Sequence, residues 1–174
     1  FGLIALIFIA VAVFIEIQSV RMSASAHEIR ALTQPKVDAI ADLNDAVQRV
    51  RVYSRSAIIE TEGAAIQKVR VELEGYVGKA DEAVKRLGAL VALPGSEEAE
   101  RALFAQLEQR LQAFRGISQE VLALGLVNRN TEANELLHST HGPAAIALNE
   151  ASMALRERVR LRNDSAIAAL EDSA

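Results

Sequence analysis

From Val37 onward, apolar side chains recur every three or four positions, the period of a helix with one buried face. Val37, Ile40, Leu43, Val47, Val50, Ala57 and Ile58 form the first stripe and predict a helix running to about Glu60. Pro35 is expected to bend this helix rather than end it, because the helical pattern resumes at once. Thr61-Glu62-Gly63 is the first break. A second stripe follows through Ile66, Val69, Leu73, Tyr76, Val77, Ala80, Val84, Leu87 and Val91, and stops at Pro94-Gly95. Ser96 is the expected N-cap of a third helix, with Glu97, Glu98 and Glu100 complementing its dipole. Leu103, Leu107, Leu111, Phe114, Ile117, Val121 and Leu124 carry its stripe to Gly125. Asn128-Arg129-Asn130 predicts the next turn, with Thr131 capping a fourth helix. That helix runs through Leu136, Ile146, Leu148, Leu155 and Val159, and His141-Gly142-Pro143 predicts a kink in it.

The start of the chain follows no such period. Phe1 to Ile17 is almost wholly apolar, with Glu16 its one charge. A membrane helix needs roughly 20 apolar residues; this run is shorter and lacks a Met or a basic flank, so it is expected to be truncated. A secretory leader is the alternative, since Ala24-Ser25-Ala26 fits small-x-small cleavage, but Glu16, Gln18 and Arg21 separate that site from the apolar run. Short turns make neighbouring helices antiparallel. The expected fold is therefore all-α: an antiparallel up-down-up-down four-helix bundle (23–174) preceded by a transmembrane helix (1–22). Four helices bring the chain back to the end where it left the membrane, and a second anchor is expected beyond Ala174.

Composition narrows the function. A formal net charge of -4 gives no basic face for nucleic acid. There is no cysteine, hence no disulfide framework and no thiolate site. His138 and His141 share a helical face, but the chain has no thiol and only His27 as a further histidine, so no metal and no cofactor is expected. No nucleophile motif or phosphate loop appears, which makes an enzyme unexpected. Arg156, Arg158, Arg160 and Arg162 alternate around the last helix and read as a solvated stretch near anionic headgroups. Tyr76 and Phe114, at core spacing, read as core.

A membrane helix, Pro35, a Pro94-Gly95 turn, and an Asn-Arg-Asn turn into a long last helix together resemble the four-helix-bundle sensor domain of bacterial methyl-accepting chemotaxis proteins. The resemblance covers nearly the whole chain, and the same module is similar to inputs of some sensor kinases. It implies a periplasmic bundle anchored in the inner membrane, a homodimer joined through the first helix, and a small ligand at the dimer interface. It further implies signalling through the last helix into a cytoplasmic output domain.

Ser54-Arg55-Ser56-Ala57-Ile58 resembles the first-helix segment whose arginine contacts a ligand carboxylate in amino-acid-binding members. Thr140-His141-Gly142 resembles a last-helix segment whose threonine also contacts ligand. The family's two other first-helix arginines fall on Val50 and Ile59 here, with Arg49 and Arg51 flanking the first gap. Geometry agrees with the carry-over: Arg55 lies roughly 10 Å and Thr140 roughly 13 Å below the same end of the bundle, at 1.5 Å per residue. Arg51 and Arg55 share a face one turn apart. A guanidinium pairs with a carboxylate through two parallel bonds, so an organic acid or amino acid is the expected ligand. The binding candidates are Arg51, Arg55 and Thr140, with Arg49, Ser54 and His141 beside them. Val52, Arg55 and Ile59 lie off the core stripe and are expected to face a partner subunit. The remaining alternatives are the input of a sensor kinase or cyclase, and a membrane-anchored structural dimerisation module.

Overall fold

The computed structural model describes the backbone of residues 2–60 and 62–171 and the side chains of residues 31–60 and 62–168. α1 (Gly2–Ile59) is one continuous helix of 58 residues with Pro35 inside it. α2 (Gly63–Val91) and α3 (Glu98–Leu126) follow, then α4 (Asn130–Leu136), a π turn (Leu137–His141) and α5 (Gly142–Glu171), which together form the fourth rod. Among the described residues every element is helical, and the connections are short, so the rods run up, down, up and down. α1 packs against α2 and α5 and reaches α3 across the diagonal. We call the end carrying the α1–α2 and α3–α4 turns the tip, and the end carrying the α2–α3 turn the base.

The predicted stripes form the core. Ile40, Leu43 and Val50 of α1 meet Leu73 and Leu87 of α2, Leu107 and Phe114 of α3, and Leu148 and Leu155 of α5, all essentially out of solvent. Tyr76 is only half-buried and stacks on Tyr53, with ring centroids 5.6 Å apart. Ile146 lies off the core, 57% exposed. Near the tip α1 and α3 approach backbone to backbone: a Cβ on Gly125 would sit 2.3 Å from the Ala57 carbonyl oxygen. Only glycine permits that approach.

Several local expectations are corrected. Glu97, not Ser96, is the N-cap of α3. Ser96 Oγ instead donates to the Leu90 carbonyl and accepts from Lys36 Nζ at 2.8 Å, because a buried ammonium needs that acceptor. Glu100 is not a solvated helix-start charge; it is fully buried against Lys36. Arg129, not Thr131, is the N-cap of α4; Thr131 is exposed one turn-position inside the helix. Arg158 and Arg162 are partly buried and paired with Glu97 and Glu100 rather than solvated.

The expected kink takes the form of the π turn. Pro143 has no N–H, and its ring crowds the carbonyl four residues back. The turn before it widens, and the Gly142 N–H bonds to the Leu137 carbonyl, five residues back. Among the described residues no helix is long and apolar enough to cross a membrane. The apolar segment expected to do so, 1–22, lies outside the residues whose side chains are described.

Candidate functional site

Toward the tip, a layer of polar side chains interrupts the core. Its centre is His141, the last residue of the π turn, only 2% exposed. Its ring lies 4.8 Å from that of Phe114 on α3, centroid to centroid. Nε2 is 3.1 Å from Ser118 Oγ, and that hydroxyl is also 2.8 Å from the Phe114 carbonyl. The carbonyl can only accept, so it takes the one hydroxyl proton. Nε2 then carries the imidazole proton and donates to Ser118. Burial, followed by the positive charges of Arg51 and Arg55, lowers the His141 pKa from 6.5 to about 4. The ring is thus neutral near pH 7.

Two cations therefore lie near a neutral imidazole. Among the described residues, neither Arg51 nor Arg55 forms an ion pair with a carboxylate. Arg51 Nη1 donates to Gln48 at 3.0 Å, while Arg55 is exposed. Most other arginines of the bundle behave differently: Arg70, Arg86, Arg101, Arg115, Arg129, Arg158, Arg160 and Arg162 all have an acidic partner. Arg49 is exposed, with Nε 4.0 Å from Asp45 Oδ1.

The other candidates divide by depth. Thr140, within the π turn, is exposed, and its hydroxyl is 3.2 Å from that of Ser139. Ser54 faces the interior, fully buried, with no hydrogen-bond partner for Oγ among the described residues. Beside Arg55, Val52 and Ile59 are 55% and 75% exposed, so the outer face of α1 near the tip is basic and apolar together. Sequence reasoning missed Ser118. The signal was available, since Ser118 lies between Phe114 and Val121 at helical spacing on the buried stripe of α3. A polar residue in a core position calls for a partner.

Residues 1–166 match the four-helix-bundle sensory module for signal transduction. The chain belongs to that family. A solved structure described as the periplasmic sensor domain of a sensor histidine kinase superposes with a TM-score of 0.65 at 20% identity, covering 82% of this chain and 93% of that one. At that identity the likeness speaks for the fold. No curated protein matches. The chain is thus a helical sensory module of a signalling system, in a family that is not catalytic.

Proposed function

We propose that this sensory module is the extracytoplasmic input of a transmembrane chemoreceptor, and that Arg51 and Arg55 of α1 hold a small carboxylate ligand at a homodimer interface. The observation that carries the reading is the pair of guanidiniums without an acidic partner among the described residues, one turn apart and near a buried neutral His141. A carboxylate supplies the missing partner in a geometry that a fork of N–H donors matches. Thr140, exposed on the neighbouring rod, offers a hydroxyl from the segment that leads directly into α5. The exposed Val52 and Ile59 give a second copy apolar contact around the arginines. Ligand between two copies raises the dimer fraction by mass action. The apolar segment 1–22 anchors the bundle in the inner membrane, and the bundle, 23–174, lies in the periplasm.

Thermal-shift screening of amino acids, di- and tricarboxylates and aromatic acids tests the reading. A carboxylate that raises the melting temperature, and also raises disulfide crosslinking between copies carrying Val52→Cys or Ile59→Cys, is the expected result. Stabilisation only by uncharged or cationic compounds, or no crosslinking at either position, contradicts it. The solved sensor-kinase domain favours a second reading, in which the same bundle feeds a kinase. The sequence that follows the bundle in the gene distinguishes the two: long methylatable heptads for a chemoreceptor, a kinase core for the alternative.

A further inference from the structure

At the base, a second polar cluster joins three of the four rods. Glu100 of α3 is fully buried, and Lys36 of α1, 1% exposed, places Nζ 2.5 Å from Glu100 Oε2. The same ammonium donates to Ser96 Oγ in the α2–α3 turn. The other carboxylate oxygen, Oε1, accepts from Arg162 Nη1 of α5 at 3.2 Å, and the Arg162 side chain is 27% exposed. Arg158, one turn earlier on α5, pairs with Glu97.

The two arms of Glu100 differ physically. The Lys36 arm is short and dry, and breaking it would strand a charge in the core, which is strongly unfavourable. The Arg162 arm is longer and wetted, so a released guanidinium can be hydrated, and such pairs are individually weak. A cleft of about 20 Å³, room for about one water beside the guanidinium, lies between α1 and α5 next to this arm, lined by Leu32, Thr33, Arg162, Asn163 and Ala166. Arg158 keeps its own pair with Glu97 at the edge of the same layer, while its buried Nε has no partner among the described residues.

We propose that Glu100 is a two-armed pivot, holding α1 permanently through Lys36 and α5 releasably through Arg162, so that α5 shifts against α1 at the base by letting go of Arg162. The α1–α3 register then stays fixed while α5 moves, which confines a signalling displacement to one rod. Helix shifts of roughly 1–2 Å are the scale of such switches.

The chain has no cysteine, so spin labels can be placed uniquely in the full chain reconstituted in lipid nanodiscs. One pair, Ala31→Cys with Ala168→Cys, reports α1 against α5. Another, Ala31→Cys with Ala99→Cys, reports α1 against α3. All three positions are exposed. Arg162→Gln is expected to widen the α1–α5 distance distribution and leave the α1–α3 distribution unchanged. Lys36→Met with Glu100→Met, which removes both arms while keeping bulk, is expected to widen both. An α1–α5 distribution unaltered by Arg162→Gln overturns the proposal. So does equal widening of both pairs by that substitution, because the arms would then not be independent.

Discussion

Two polar layers of the bundle, one at each end, are built on opposite terms. At the base, Lys36 and Glu100 are buried charges that partner each other, with Ser96 and Arg162 taking the remaining bonds. Toward the tip, among the described residues, Arg51 and Arg55 lack acidic partners, His141 is held neutral, and Ser54 Oγ is buried without a bond. The backbone differs in the same sense: α1 passes Pro35 beside the base layer without a break, whereas the fourth rod yields a π turn before Pro143. A layer whose groups satisfy one another holds a structure in register. One left with unpaired charges and irregular backbone is where a ligand has something to gain, and local rule-breaking of this kind concentrates at functional sites.

The largest expected effect lies at the base. Glu100→Ala leaves the Lys36 ammonium buried and unpaired, and should cost about 3–5 kcal/mol of stability. Denaturant unfolding measures this, and a loss below about 1 kcal/mol would show that the ammonium readily escapes to water. Next is the close approach of α1 and α3 near the tip. Gly125→Ala places a methyl on the Ala57 carbonyl and should cost about 1–3 kcal/mol. A neutral result would mean that the rods part freely there.

A third effect separates the layers by pH. The His141 pKa is lowered in the folded state, so below pH 6.5 the unfolded chain binds the proton more readily. The stability from this group is complete above pH 6.5 and is lost as pH falls toward about 4, by on the order of 3 kcal/mol. Comparing unfolding of the parent chain and His141→Gln across that window isolates it. Parallel pH profiles would mean that His141 is not held neutral. The smallest effect is at Ser54, where removing a buried hydroxyl without a partner should be neutral or stabilising by up to about 1 kcal/mol. Marked destabilisation by Ser54→Ala would reveal a bond that this hydroxyl makes.

The fold was legible because it rests on period and punctuation. The four stripes, the three turns and the disturbance near Gly142-Pro143 all follow from side-chain spacing and from the missing proline N–H. The caps were not legible. Ser96 is a good N-cap by type, yet the buried Lys36 claims its oxygen, a contact 60 positions distant in sequence. Glu100 read as a dipole-complementing surface charge for the same reason. The clue was its place seven residues before Leu107 on the buried stripe, and Lys36 likewise lies four before Ile40. Arg51 and Arg55 were readable as neighbours on one helix. Their nearness to His141 depends on how α1 meets the fourth rod and the π turn, which no local pattern encodes.

The claim on which the functional reading rests is that Arg51 and Arg55 hold the ligand carboxylate. Calorimetric titration of the best carboxylate from the screen tests it most directly, into the parent chain, Arg55→Ala, Arg51→Ala and the exposed control Arg110→Ala. A charge-assisted pair contributes about 1.5–3 kcal/mol, so either site variant should bind about tenfold to a hundredfold more weakly with its melting temperature nearly unchanged. The control should bind like the parent. Parental affinity in both Arg51→Ala and Arg55→Ala would place the ligand elsewhere and contradict the account.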